Sequence, residues 1–174
     1  YPNPFNPTTK IRYQLPKNSF VRLNTNGSVD TTFNVPIIGS DTFNNVSMIQ
    51  VLSNGKILTI INGNLLRLNS NGTVDASLAP IAATSFMLMP DGRFYVLESY
   101  TTLKRYLSNG AVDTSFTTVS ITSSYNDTVI AHQSDGRVVI AGSFTAINNM
   151  SINKLARINT DGTLDMTFYP SISF

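Results

Sequence analysis

A thirteen-residue pattern occurs four times in the chain, and this repetition limits the folds that the sequence can adopt. The copies are VRLNTNGSVDTTF (21–33), LRLNSNGTVDASL (66–78), KRYLSNGAVDTSF (104–116) and ARINTDGTLDMTF (156–168). Measured from the glycine of each copy, an Arg lies five residues before, an Asp three after, and a Phe or Leu six after. The glycines are 45, 38 and 52 residues apart, which predicts a unit of about four short strands, near the length of a β-propeller blade.

A second pattern lies between the copies, at IQVLSNGKILTI (49–60), FMLMPDGRFYVL (86–97) and IAHQSDGRVVIA (130–141). In each, Asn-Gly or Asp-Gly separates two apolar runs, which is typical of a β-hairpin because Gly adopts the positive φ of the turn. The two patterns together predict turns at Gly27, Gly55, Gly72, Gly92, Gly110, Gly136 and Gly162. Apolar residues on both faces of MIQVL and VVIAG predict strands that are covered on both sides.

The fixed Arg and Asp of the first pattern predict an ion pair across each hairpin. If the loop has three residues, with Gly in the left-handed bulge position, Leu23 opposes Val29 and Arg22 opposes Asp30. The same register pairs Arg67 with Asp75, Arg105 with Asp113, and Arg157 with Asp165. An exposed pair of this kind stabilises a hairpin by about 1 kcal/mol or less. Binding of a ligand or cation by the four Asp residues is the alternative interpretation.

The composition favours strands and turns and excludes several classes of site. Asn, Thr and Ser number 19, 20 and 19 of 174 residues, and these residues compete with helical hydrogen bonds. The chain has no Cys, which excludes disulfides and thiolate metal sites. A net charge of +2 from scattered basic residues argues against nucleic-acid binding, and no stretch is apolar enough for a transmembrane helix.

Few residues remain for catalysis. Four of the ten acidic residues belong to the first pattern, and Asp91, Asp135 and Asp161 lie in turns. The single histidine, His132, lies inside an apolar run, where a packed imidazole is more common than a catalytic base. We therefore expect no enzyme, and no catalytic, cofactor-binding or metal-binding residues.

These observations predict an all-β fold in which repeated antiparallel hairpins form β-propeller-like blades, three complete and one partial. A β-solenoid-like stack is the alternative. We divide the chain into an extended N-terminal segment, 1–20, and a repeat domain, 21–174, with copies that end near residues 33, 78, 116 and 168.

The repeats resemble a known bacterial family. The stretch VIAHQSDGRVVIAGSFTAINNMSINKLARINTDGTLDMTF (129–168) is similar to the delta-60 repeat, and the similarity extends over 21–170. This resemblance implies β-propellers in large secreted or surface-exposed proteins. It brings no catalytic residues with it.

The opening, YPNPFNPTTKIRYQLP (1–16), resembles the first strand of the C-terminal sorting domain used in type IX secretion. The resemblance implies an exported protein. The same segment also has the pattern of an N-terminal edge strand, and it predicts a strand that completes a sheet in this chain or in another. The residues of this strand are Lys10, Ile11, Arg12, Tyr13, Gln14 and Leu15.

Two functional hypotheses follow. The first is a non-enzymatic structural or assembly protein of the bacterial surface, a fibre or multimer subunit joined by addition of the N-terminal strand, with itself or another surface protein as partner. The second is an adhesion module whose blade loops recognise a glycan or a protein, with Tyr100, Tyr106, Tyr125 and Phe144 as candidate contacts. Both imply a secreted or outer-surface location.

Overall fold

The computed structural model describes residues 21–35 and 46–168, and all regular structure in these ranges is β-strand. The strands are β1 (Val46–Val51), β2 (Ile57–Ile61), β3 (Asn64–Leu68), β4 (Ile81–Ala82), β5 (Ser85–Leu88), β6 (Phe94–Glu98), β7 (Thr102–Tyr106), β8 (Val119–Ser123), β9 (Val129–His132), β10 (Val138–Ala141), β11 (Phe144–Ile147), β12 (Met150–Ser151) and β13 (Leu155–Ile158). A search of the described residues finds no helix that could span a membrane. The predicted strand at 10–15 lies outside these residues, as does the boundary at residue 20.

The strands form three antiparallel sheets. The first has the order β1-β2-β3-β4, the second β12-β11-β8-β7-β6-β5, and the third β13-β10-β9. Every pair of neighbouring strands in the described part of the chain is antiparallel. This arrangement confirms the all-β, blade-like prediction, and it does not fit a parallel solenoid.

Each predicted glycine turn is a three-residue loop. In the first copy, the Asn24 amide donates to the Ser28 carbonyl and the Gly27 amide to the Asn24 carbonyl, both at 2.8 Å. Gly27 has φ 83°, which a residue with a Cβ rarely adopts. The Asn26 side chain accepts the Ser28 amide at 3.0 Å, and this bond explains why Asn or Asp precedes each glycine.

The register of the first pattern agrees with the sequence prediction. Isolated antiparallel bridges join Leu23 to Val29, Leu68 to Val74, Tyr106 to Val112 and Ile158 to Leu164. The three-residue loop therefore places the Arg and the Asp of each copy opposite each other.

Two other hairpins have tighter turns. Asn62 and Gly63 join β2 to β3 with φ 50° and 74°, and Asn148 and Asn149 join β11 to β12 with φ 50° and 64°. Positive φ at both central residues is the geometry of a type I′ turn, which matches the twist of the strands.

The last unit is the longest, with 52 residues between its glycine and the preceding one, and residues 142–154 are its extra stretch. This stretch forms the hairpin β11–β12, which pairs with the second sheet instead of the third. Phe144 pairs with Ser123 and Ile147 with Ile121, both on β8. The side chains of Phe144 and Ile147 are buried. The last unit thus contributes two strands to the sheet of the unit before it.

The hydrophobic cores lie between successive units. Phe33 of the first copy and Val35, two residues after it, pack on the first sheet, against Ile61 and Leu68. A second core joins the first and second sheets, with Leu58, Leu65, Phe86, Phe94 and Tyr106 among its members. A third joins the second and third sheets and includes Tyr95, Leu97, Phe116, Ile140 and Ile158. Each sheet is therefore stabilised by packing against its neighbours in the chain.

The prediction that MIQVL is covered on both faces is wrong. In β1, Ile49 is 52% exposed and Val51 67% exposed, because β1 is the edge strand of its sheet. In β10, the middle strand of the third sheet, Val138 and Ile140 are fully buried and Val139 and Ala141 partly so. Position in the sheet, which an apolar run does not reveal, accounts for the difference.

Candidate functional site

Each copy of the first pattern builds a compact group of an Arg, an Asp, a Ser or Thr and a Phe or Leu, which we call an Arg–Asp cluster. In the third copy, Arg105 Nε donates to Asp113 Oδ2 at 2.7 Å. Asp113 Oδ1 accepts the Ser115 amide at 3.0 Å and the Ser115 hydroxyl at 2.6 Å. The corresponding Nε–Oδ2 distances are 2.8 Å for Arg22–Asp30, 2.7 Å for Arg67–Asp75 and 2.8 Å for Arg157–Asp165. The structure thus brings together both members of all four predicted pairs.

An aromatic ring lies against the guanidinium group in three of the four clusters. The Arg105 Cζ lies 4.9 Å from the centre of the Phe116 ring. The matching distances are 4.8 Å for Arg22 and Phe33 and 4.5 Å for Arg157 and Phe168, while Leu78 occupies this position in the second copy. In such contacts the cation lies over the face of a ring and is attracted by the ring electrons.

A second cation reaches three of the four Asp residues from the glycine turn of the second pattern. Lys56 Nζ lies 2.7 Å from Asp75, Arg93 Nη1 3.6 Å from Asp113, and Arg137 Nη1 3.3 Å from Asp165. This contact explains why Lys or Arg follows the glycine in each copy of the second pattern.

The hydrogen bonds hold the carboxylates ionised. The Ser115 hydroxyl, followed by Arg105, lowers the pKa of Asp113 to about 2. Bonds from the corresponding threonines lower the pKa of Asp30 and of Asp165 to about 2, and the Lys56 ammonium, with Ser77, lowers that of Asp75. Because both oxygens of each carboxylate already accept hydrogen bonds, binding of a metal ion would require that the cluster be broken. The described residues contain no group of three His, Asp or Glu side chains that could hold a metal ion.

The clusters also join each copy to the next. Arg67 Nη1 donates to the carbonyl oxygen of Ser108 at 2.8 Å, and Arg105 Nη1 to that of Thr160 at 2.6 Å. Arg22 makes the same bond to the carbonyl of Ser70. Each acceptor lies two residues before the turn glycine of the following copy. We call this contact between one cluster and the next turn a junction.

Backbone contacts complete two of the three junctions. The Thr117 amide donates to the Asp161 carbonyl at 2.7 Å, and the Asn34 amide to the Asn71 carbonyl at 3.0 Å. A Cβ added to Gly162 would overlap the backbone of Thr117. The turn glycine is therefore required both for its positive φ and for the close approach of the preceding copy.

The structure adds three features that the sequence analysis missed. The ion pairs of the second and third copies are buried, with Arg67 and Arg105 side chains only 8% and 4% exposed, whereas the energy expected from the sequence was that of an exposed pair. The Ser or Thr two residues after each Asp occurs in all four copies and could have been found by inspection of Thr32, Ser77, Ser115 and Thr167. The acceptor carbonyls of the junctions belong to the backbone, so no residue type in the sequence indicates them.

The other candidate residues are scattered. Tyr106 and Phe144 are buried and cannot contact a ligand at a loop, because both pack in the cores between sheets. Tyr125 is 66% exposed and Tyr100 half-buried. His132 lies on β9, and its buried Nε2 has no hydrogen-bond partner within the described ranges.

A pocket of about 420 Å³ opens between the second-pattern turns of the first and second sheets. Its lining includes Ser53, Asn54, Asp91, Arg67 and Ser108. Arg67 is already bonded to Asp75 and Ser108, and Asp91 to Arg93. Its two charged groups are thus engaged with the protein itself.

The fold and the clusters together define an all-β repeat protein in which the arginines of the first three repeats bind the repeat that follows. Three segments, residues 15–33, 52–78 and 133–168, match a family described as "Domain of unknown function (DUF5122) beta-propeller". These segments of the chain are thus similar to β-propeller repeats of this kind, and the first match begins inside the N-terminal segment 1–20. A comparison with curated proteins gives no match.

Proposed function

We propose that the protein is a non-enzymatic structural component of the bacterial surface, which assembles with further copies of itself or with another surface protein. This proposal rests on the bonding partners of the charged residues that recur in each copy. The four arginines and four aspartates of the clusters bind each other, and three of the arginines also bind the next copy. The repeated chemistry thus builds a framework in which these charged groups are bonded to the protein itself.

The location rests on the sequence. The resemblance of residues 1–16 to a sorting-domain strand and that of the repeats to secreted bacterial propellers both support export. A sequence rich in Asn, Thr and Ser, with 13% charged residues, is compatible with this location. Protease treatment of intact cells tests it: an epitope-tagged chain should be digested from outside, and a tag that stays protected until lysis would contradict a surface location.

Strand addition by residues 10–15 is the proposed mode of contact. Deletion of residues 1–16 removes the strand, and Tyr13→Pro removes one backbone donor from it while preserving its length. Both changes should weaken binding to the surface partner, as measured by co-purification from an extract of the outer membrane. Thr8→Pro, outside the strand, is the matched control. Equal co-purification by all four chains would contradict strand addition.

The adhesion alternative has weaker support. Two of its four candidate aromatic residues, Tyr106 and Phe144, are buried in the core. Carbohydrate sites commonly use exposed aromatic faces, and Tyr125 alone among the four is strongly exposed. The structural role is therefore the better-supported proposal.

A further inference from the structure

The pocket between the glycine turns of the first and second sheets has walls that the fold holds in place. Residues of the β1–β2 turn and of the β5–β6 turn line it, together with Arg67 and Ser108. Arg67 Nη1 donates to the Ser108 carbonyl at 2.8 Å. Leu88, also in the lining, donates its amide to Gln50 Oε1 at 3.2 Å and so joins β5 to β1. The volume of about 420 Å³ is therefore preformed, and it lies in the range of small-molecule sites, about 300–1,000 Å³.

Two serines enlarge this pocket relative to the equivalent place between the second and third sheets. There, Pro90 takes the position of Ser53, and Thr160 takes the position of Ser108. Pro and Thr are both larger than Ser. The space between the first two sheets thus depends on residues that the repeat pattern does not fix.

Polar groups of the lining keep hydrogen-bonding capacity. Of the five N–H groups of an arginine, three in Arg67 donate to other groups of the protein, which leaves two. Asn54 Oδ1 accepts the Lys56 amide at 3.1 Å, and its Nδ2 has no partner in the described part of the chain. The hydroxyls of Ser53 and Ser108 have none within 21–35 and 46–168 either. The pocket therefore offers several donors at its polar side.

Asp91 supplies a charged acceptor. Its side chain is 48% exposed, and it accepts the Arg93 amide at 3.0 Å and Arg93 Nε at 2.7 Å. The bond from the Arg93 side chain lowers the pKa of Asp91, so the carboxylate is ionised at neutral pH. Arg67 and Asp91 are the two charged residues of the lining, and their charges are opposite. A ligand with a net charge would be attracted by one and repelled by the other, which favours an uncharged ligand.

We propose that this pocket binds a neutral mono- or disaccharide. The lining combines apolar side chains, those of Leu52, Leu88, Met89 and Pro90, with the polar groups described above. A pyranose ring has an apolar C–H face that fits the first set. The hydroxyl groups around its edge both donate and accept hydrogen bonds, as the second set requires. The inference goes beyond the proposed structural function and does not depend on assembly of the protein.

The test follows the backbone amide signals of the full chain by nuclear magnetic resonance while sugars are added. The probes are glucose, galactose, mannose and N-acetylglucosamine, and the disaccharides maltose, cellobiose and lactose. We expect at least one of them to shift the signals of Ser53, Gly92 and Ser108, with saturation at millimolar concentration. The phosphate ester of the sugar that binds is the anionic counterpart, and it should bind more weakly.

Two pairs of substitutions separate the pocket from the fold. Ser53→Trp fills the pocket, and Asp91→Asn removes the charged acceptor but keeps the turn, because Asn54 occupies the same position in the turn of the first sheet. Ser134→Trp and Asp135→Asn make the same changes in the equivalent turn of the third sheet. Thermal midpoints from circular dichroism show whether each chain is folded.

We expect Ser53→Trp to abolish the saturable shifts. Asp91→Asn should weaken binding about tenfold, the size expected for loss of a hydrogen bond to a charged group. The two variants of the third sheet should bind as the wild type does. If Ser53→Trp does not fold, Asp91→Asn still tests the site.

Three results would overturn the proposal. The first is a wild-type chain in which none of the sugars gives a saturable shift at the pocket, including one in which the shifts lie elsewhere. The second is an Asp91→Asn chain that binds the sugar like the wild type. The third is equal weakening by Asp91→Asn and Asp135→Asn, which would show that the effect does not come from the pocket.

Discussion

The aspartate of each Arg–Asp cluster accepts a different set of donors through each of its oxygens. In Asp113, Oδ2 faces Arg105 and Oδ1 faces the amide and hydroxyl of Ser115. Because a carboxylate has about four lone-pair sites, this arrangement uses most of its capacity. The carboxylate thereby fixes both the arginine and the backbone that follows the hairpin.

Ser115→Ala tests the second of these contacts. The change removes the hydroxyl donor to Asp113 and the acceptor for Arg105 Nη2, which lies 3.0 Å away. We expect a loss of about 1–2 kcal/mol in the free energy of unfolding, measured by urea denaturation. Thr114→Ala, at the exposed neighbouring position, should change it by less than about 0.5 kcal/mol. Equal effects of the two substitutions would show that the hydroxyl contributes nothing specific.

Acid should destabilise the protein through the same carboxylates. Their pKa in the folded protein is about 2 for Asp30, Asp113 and Asp165, below the value of about 3.9 for an unfolded Asp. The stability from this difference is therefore present above about pH 4 and is lost as the pH falls toward about 2.

Urea midpoints measured at several pH values check this expectation. The midpoint should fall below about pH 4 in the wild type, and its fall should be smaller in Asp113→Asn, which has one titrating carboxylate fewer. The variant should also be less stable near neutral pH, since it leaves Arg105 without its anion. An identical pH profile in the variant would contradict a role for Asp113.

At the scale of elements, the hairpin β11–β12 is the feature with the largest expected effect on the free energy of unfolding. Its side chains Phe144 and Ile147 are buried in the core between the second and third sheets. Phe144→Ala should therefore lower the free energy of unfolding by about 3–5 kcal/mol. The measurement is again urea denaturation, and Ser151→Ala on the exposed face of β12 is the control. A loss below about 1 kcal/mol for Phe144→Ala would show that the hairpin is a surface appendage.

Much of the element structure follows from local sequence. The Asn-Gly and Asp-Gly turns, the three-residue loops and the register of Leu68 with Val74 all result from interactions within about ten residues, which a sequence pattern records directly. The place of β11 was not predictable in this way, because its pairing with β8 depends on packing between units. The exposed side of β1 and the junction carbonyls were not predictable either, because no residue type in the sequence indicates them.

At the scale of the whole molecule, the junctions predict a gradient of stability along the array. The central strands β6 and β7 have neighbouring strands on both sides and residues with no exposure, such as Tyr95 and Leu103. Among the described residues, the first copy has a single bridge and an exposed Leu23. Amide hydrogen exchange followed by mass spectrometry should therefore be slowest in β6 and β7 and fastest near residues 22–30. Equal protection of the first copy and of β6 would contradict this gradient.

The position of the β11–β12 hairpin also has a consequence for synthesis on the ribosome. The second sheet takes its last two strands, β11 and β12, from residues 144–151. The sheet is therefore still incomplete when β8 has left the exit tunnel. Chains are generally expected to fold domain by domain from the N-terminus as they emerge. In this chain, β8 has no partner on one edge until β9 and β10 have been synthesised and β11 emerges. The second and third units therefore reach their final form together.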